Sequence, residues 1–258
     1  MIAAYIEGVR EGQRFLRALR KAAEIKPVII IKGGRTAAGA RATASHTAAL
    51  SGADVIWDSL LRQAGAIRVH SFGELIDTIL AFLHMPVPRN RNAAIIGSGG
   101  GPNVLGTDDC ESAGLYVPPL PSEVREKLRS LISDPGTSIW NPIDSPFGQS
   151  PTQFQETVRI VASCQQVGSL IIHIETDTHL IFQGRKELSE MRNTIIDAVK
   201  DCNKNVAVVL RTAGSPAEWE ASVEEQKEFA KAGLSAYPTI ARASQAINKL
   251  LQYHGVSS

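Results

Sequence analysis

The sequence predicts two α/β domains built on parallel sheets of the doubly wound kind, the first of them truncated at its N-terminus. Three observations carry that expectation. Short β-branched runs alternate along the chain with segments of helical period. A proline-rich stretch interrupts this alternation near residue 88. The series after the break suffices for a complete sheet, whereas the one before it offers only about three strands, fewer than the usual ~4 to 6. At 258 residues the chain is long enough for two such cores.

Before the break the pattern reads as a strand over 2–5, a helix over 14–23, a strand over 28–32, a long loop, a helix over 55–63, a strand over 67–69 and a helix over 72–83. In that last helix Leu75, Ile76, Ile79, Leu80 and Leu83 recur at helical spacing and are read as the stripe that lies on the sheet. The run Met85-Pro86-Val87-Pro88-Arg89-Asn90-Arg91-Asn92 suits neither helix nor central strand. It divides the chain into domains 1–86 and 91–258. A strand over 93–96, a glycine-rich turn, helices from Pro102 and from Ser122, the turn Asn141-Pro142-Ile143-Asp144 and a helix over 152–164 follow. The series closes with a strand over 170–174, a helix over 185–202, a strand over 206–210, a helix over 217–232 and a last helix ending near Leu251.

Composition excludes several classes of function. With 27 basic and 26 acidic residues the chain has no global field to draw nucleic acid or an anionic membrane. Its longest apolar runs fall far short of the ~20 residues of a bilayer span, and its first residues lack the pattern of a secretory signal. The expected setting is the cytoplasm. Cys110, Cys164 and Cys202 are odd in number and widely spaced, so they read as buried, reduced thiols rather than a disulfide framework or zinc site. The run Glu224, Glu225, Lys227, Glu228, Lys231 reads as a solvated helix face with favourable pairing.

Residues 32–52 run about twenty positions with no convincing apolar period, and a loop of that length in a compact domain is usually functional. His46 sits within it, between Ser45 and Thr47, ahead of a helix that could start at Ala48 or near Asp54. A helix start beside an imidazole suits a phosphate. Imidazole is also one of the few side chains able to accept and return a phosphoryl group at neutral pH. Gly97-Ser98-Gly99-Gly100-Gly101-Pro102, between a strand and a helix, lets backbone N–H groups approach an anion. A dinucleotide fingerprint is disfavoured there, because Pro102 takes the place of its third glycine. Asn141 and Asp144 are open to a structural or a site role. The other histidines show no metal-site spacing; no metal site is expected. His173 and His179, near a strand end, read as structural, with lining a ligand path as the lesser alternative.

Gly33-Gly34-Arg35-Thr36, Gly39 and Ser45-His46-Thr47 with Leu50 and Gly52 resemble the phosphohistidine loop of NDP-forming acyl-CoA synthetases, relatives of succinyl-CoA synthetase. Tyr5-Ile6-Glu7-Gly8-Val9-Arg10 resembles that family's strand end carrying a glutamate that hydrogen-bonds the catalytic histidine. The glycine-rich turn and the Asn-Pro-x-Asp turn have counterparts there as well. The resemblance implies two flavodoxin-like, succinyl-CoA-synthetase-like domains facing each other across a cleft. His46 would be the phosphoryl acceptor and Glu7 its orienting acid, with Ser45, Thr47, Ser98, Gly99, Gly100 and Gly101 binding phosphate. It implies interconversion of acyl-CoA, ADP and phosphate with acid, CoA and ATP. CoA and ATP/ADP with Mg2+ belong to the complete enzyme, and none is expected to stay bound to this chain alone.

Departures from the family pattern are Ala48 where a glycine is common and Ser98 where an asparagine is common. A CoA-binding domain and an ATP-grasp domain are missing from the sequence, so they are expected as partners, as further domains or as separate subunits. A homo-oligomer is left open. The alternatives are a non-catalytic acyl-CoA- or nucleotide-sensing regulatory module of the same architecture, or an inactive fragment. His46 together with Glu7 argues against a pure sensor, which needs no nucleophile with an orienting acid.

Overall fold

The computed structural model describes residues 1–47, 54–132, 137–145, 150–212 and 214–256, without the side chains of His46 and Thr47. Contacts divide the chain into two compact units, Met1–Ile79 and Leu80–Ser258. The first contains β1 (Ile2–Ile6), α1 (Gly12–Ile25), β2 (Val28–Lys32), α2 (Ala37–Thr47), α3 (Asp54–Gln63) and β3 (Ile67–Val69), and the division falls inside α4 (Phe72–His84). Its described sheet is parallel, in the order β1-β2-β3, with Ile2 opposite Val28 and Ile29 opposite Ile67. β2 is buried along its whole length, which is why it reads as an unbroken apolar run. Leu19, Val28, Ile30, Trp57 and Leu61 form the core on one side of it. Arg68 on β3 pairs with Asp54 and lies 3.4 Å from Asp58, which anchors the first turn of α3.

Two expectations change in this unit. The segment read as a loop is helical over Ala37–Thr47. Alanines at 37, 38, 40, 42 and 44 supply the highest helix propensity. Of its side chains described, only Thr43 is buried, so the missing apolar period reflects a helix that packs little, not the absence of a helix. The expected stripe of α4 also turns out differently: Ile76 and Leu83 are exposed, while Asp77, Thr78 and Ala81 are buried. A helix apolar on several faces gives little directional information, and small residues form its packed row.

The second unit continues with β4 (Ala93–Gly97), α5 (Gly100–Ser112), α6 (Ser122–Arg129), β5 (Ser138–Ile139), β6 (Ile143–Asp144), α7 (Pro151–Ser163) and β7 (Ser169–Glu175). It ends with α8 (Thr176–Phe182), α9 (Arg185–Val199), β8 (Asn205–Arg211), α10 (Pro216–Lys231), β9 (Ser235–Tyr237) and α11 (Ile240–Tyr253). The described sheet runs β5-β6-β4-β7-β8-β9, parallel except for the β5–β6 pair. Alternate residues of β4, β7 and β8 feed two cores on opposite faces. Ala94, Ile96, Leu170, Ile172, Val206 and Val208 pack with Phe154, Val158, Leu188 and Ile195 of α7 and α9. Ala93, Ile95, Ile171, Ala207 and Val209 pack with Cys110 of α5 and with Ile247 and Leu251 of α11.

Glu225 departs from the solvated face expected of α10. It is buried and accepts from Arg192 at 2.9 Å and from Ser189 at 3.2 Å, so it ties α10 to α9. A carboxylate tolerates such burial only when paired in this way. Cys110 and Cys164 are buried and Cys202 half-buried, all three free, and burial pushes the Cys110 thiol up to about 11. No described helix is long and apolar enough to cross a membrane.

Because Ile96 is wholly enclosed in the central strand, Ile96→Ala is expected to cost about 2–5 kcal/mol, measured as a lower urea midpoint at unchanged slope.

Candidate functional site

In the second sheet, β4 leads through α5 to β6 on one side and then through α7 to β7 on the other. Strand order therefore reverses at the C-terminal end of β4, the position where doubly wound sheets open a crevice. The glycine-rich turn occupies this switch point. Helix α5 starts at Gly100, two residues before the expected Pro102, because proline is acceptable within a first helical turn. Gly99 precedes it at φ 100°, a conformation that side chains rarely adopt. The N–H groups of Gly100 and Gly101 lie in the first turn, where no intrahelical acceptor exists, and both residues are exposed. The next N–H, from Asn103, is spent on Gly99 O at 3.2 Å.

The turn is held from three sides. Gly97 O accepts from Ser145 N at 2.9 Å and from Asn103 Nδ2 at 3.4 Å. That bond orients the Asn103 amide, so its Oδ1 accepts from His173 Nε2 at 2.8 Å, which places a proton on that nitrogen. His173 is buried on β7, and a β-carbon on Gly97 would lie 2.1 Å from its Nε2. Its Nδ1 faces Glu175 Oε1 at 3.6 Å, and Glu175 in turn accepts from Arg211 at 3.4 Å. Asp144 Oδ1 accepts the Gly99 N–H at 2.9 Å. It does not cap the helix that follows, where Ser150 fills that role in a capping box. Asn141 lies at the opposite end of β4: its amide donates to Ala93 O and Pro118 O, both at 2.9 Å, and accepts from Ile95 N at 3.1 Å.

A cavity of about 240 Å³ opens beside the turn, lined by Gly97, Ser98, Phe154, His173, His179 and Met191 among others. His173 and His179 therefore share it. His179 Nδ1 contacts Glu175 O at 3.1 Å, and burial lowers its pKa more than the nearby carbonyl and carboxylates raise it. Asn103 and Ser145 were not singled out from sequence. The polar Asn103, three residues after the start of a helix that begins in a glycine run, was the one signal available for it.

In the first unit, Glu7 Oε1 accepts from Tyr5 Oη at 3.0 Å, which raises the Tyr5 pKa, chiefly through that bond. Tyr5 stacks on Phe72 with centroids 5.7 Å apart. Glu7 Oε2 is enclosed with no partner among the described residues. Ser45 Oγ donates to Arg41 O at 2.8 Å, back along α2. His46 falls in the last turn of α2 rather than on a loop, and the nearest described helix start is Asp54. Its side chain and that of Thr47 lie outside the described residues. Among the described residues no three His, Cys, Asp or Glu side chains gather as a metal site.

A doubly wound domain with a glycine-rich turn at its switch point, preceded by a smaller parallel α/β unit, defines the class. The chain matches the ligase-CoA domain over residues 93–250 and the succinyl-CoA ligase like flavodoxin domain over residues 1–82. It belongs to the ligase-CoA family, in the two-domain arrangement of NDP-forming acyl-CoA ligases. It is 37% identical to the ADP-forming 4-hydroxybutyrate–CoA ligase of Nitrosopumilus maritimus, over 66% of this chain and 24% of that protein. It is 29% identical to the alpha subunit of ADP-forming acetate–CoA ligase I of Pyrococcus furiosus, over 98% of this chain and 52% of that one. The acetyl-coenzyme A synthetase 1 of Ca. Korarchaeum cryptofilum, solved with phosphate and ADP, superposes with a TM-score of 0.80 at 27% identity, over 99% of this chain and 53% of that chain. The chain thus spans between about a quarter and about half the length of these relatives.

Gly97→Ala is expected to cost about 1–3 kcal/mol through overlap with His173. Adding His173→Ala should recover part of that loss, a coupling that a double-mutant cycle of urea midpoints reads directly. The depressed His179 pKa has a signed consequence: the folded state favours the neutral ring. Its contribution is present above the unfolded value near 6.5 and is lost as pH falls below it. A His179→Gln variant should flatten the acid limb of the Tm-against-pH curve that begins there.

Proposed function

We propose that this chain is the phosphohistidine and ligase-CoA portion of an NDP-forming acyl-CoA synthetase. The observation that carries the reading is the match of both halves, in order, to the two domain families, among relatives named as ADP-forming CoA ligases. Residues 1–86 would carry the phosphohistidine and residues 91–258 the phosphate-binding turn. The reaction interconverts acyl-CoA, ADP and phosphate with a carboxylic acid, CoA and ATP.

In the acyl-CoA-consuming direction a phosphate oxygen attacks the thioester carbonyl and the C–S bond breaks, which releases CoA and leaves an acyl phosphate. A neutral His46 nitrogen then attacks the phosphorus, and the carboxylate departs with the P–O electron pair. ADP finally takes the phosphoryl group from the imidazole. Gly100 and Gly101 N–H groups, aided by the Ser98 hydroxyl and the positive end of α5, fit the phosphate oxygens. Ser45 and Thr47 flank the imidazole and would steady the same phosphoryl group. Glu7, through the enclosed Oε2 that lacks a described partner, would take one imidazole N–H and leave the other nitrogen free to attack. Asp144 would hold the turn open by binding the Gly99 N–H, and Asn141 would fix the strand that carries it.

CoA and nucleotide are substrates in this scheme, and Mg2+ would accompany the nucleotide phosphates. The parts that bind them, a CoA-binding domain and an ATP-grasp domain, are the expected partners. The free thiols and near-neutral charge fit a cytoplasmic setting.

The test is to incubate the chain with acetyl phosphate, or with an acyl-CoA and labelled phosphate, with and without those partner domains from a relative. Acid-labile, base-stable label on His46 by mass spectrometry, absent from His46→Ala, is the expected result. Glu7→Gln should slow labelling roughly a hundredfold. No label even with partners present would remove the catalytic reading and leave the sensing module.

A further inference from the structure

We propose that the second domain carries another anion site, at the N-terminal ends of β7 and β8, which takes a small phosphate-bearing molecule through Arg89, Arg159 and Lys204. A cavity of about 540 Å³ lies there, lined by those three cations and a single acid, Asp201. A neighbouring cavity of about 260 Å³ shares Pro86, Cys202 and Lys204 with it, so Lys204 stands at the junction of the two. The volume falls within the range of small-molecule sites.

The three cations in this cavity outnumber its one acid. The ion pairs that Arg185, Arg192 and Lys200 make elsewhere in the unit leave Arg89, Arg159 and Lys204 out, and among the described residues none of these three has a carboxylate within 4.0 Å. Lys204 Nζ donates to Cys164 O at 2.8 Å and to Val167 O at 2.5 Å. Those two carbonyls hold the ammonium in place and use two of its three donors, which leaves one N–H for a guest. Burial lowers the pKa of the ammonium, and the neighbouring Arg89 charge adds to that direction. Arg89 makes only a long 3.5 Å contact, to Gln165 Oε1, and its planar fork can turn to a ligand. Two guanidinium forks and one ammonium match the several acceptor oxygens of a phosphate better than the two of a monocarboxylate.

The site is distinct from the glycine-rich turn. Ser169 pairs with Asn205 at one end of the β7–β8 ladder and Glu175 with Arg211 at the other. Six steps of ~3.3 Å separate the ends by about 20 Å. The inference is therefore independent of the phosphohistidine reading and stands or falls without it.

The test is an amide ¹H–¹⁵N titration of the whole chain with inorganic phosphate, AMP and ADP in separate arms. Saturable shifts clustered at residues 86–89, 159–168 and 201–205 are expected in at least one arm. The double variant Arg89→Ser/Arg159→Ser should weaken that binding at least tenfold and leave any shifts at 97–101 unchanged. Both arginines are exposed, so this variant should keep its fold, which its spectrum reports directly. Equal saturation by all three would identify the phosphate group alone as the ligand, and tighter AMP or ADP a nucleotide. Shifts confined to 97–101, no saturable shift in any arm, or a double variant that binds like the wild type would each overturn the proposal.

Discussion

The close approach of His173 to Gly97 is the constraint on which the candidate site rests. The imidazole occupies the space that any β-carbon at position 97 would need. It can stand there because β7 is paired with β4 in fixed parallel register and because Asn103 bridges its Nε2 to the Gly97 carbonyl. The sheet, the start of α5 and the turn between them are thereby locked as one object. The N–H groups of Gly100 and Gly101 take their direction from that lock.

Electrostatics at the turn are arranged around these donors. Asp144 binds the Gly99 N–H, one residue before the helix, and so stiffens the turn without occupying the first-turn donors themselves. A carboxylate so close would repel the proposed phosphate, which would have to gain enough from the Gly100 and Gly101 N–H groups to offset that repulsion. His179, kept toward its neutral form by burial, adds no permanent charge to the adjoining cavity. In the first unit, Glu7 has one oxygen bound to Tyr5 and the other enclosed. A buried carboxylate oxygen is costly unless a donor meets it.

The sequence by itself determined the class of fold, because unbroken apolar runs such as 28–31 and 170–172, alternating with helical segments, leave a parallel sheet with covered faces as the consistent solution. It also marked the glycine-rich turn and His46 as candidates, since glycines without side chains and a lone imidazole announce themselves by chemistry rather than by contact. The helix over 37–47 was legible too, through alanine propensity rather than an apolar period, because little of it is buried. Tertiary structure alone decided the rest. Glu225 faces inward because Arg192, far away in sequence, neutralises it. Asn141 and Asp144, three residues apart in one motif, serve opposite ends of β4. The roles of Asn103, His173 and Asp144 depend on which strand ends meet at the switch point, and that is set by long-range pairing, which no local pattern of side chains encodes.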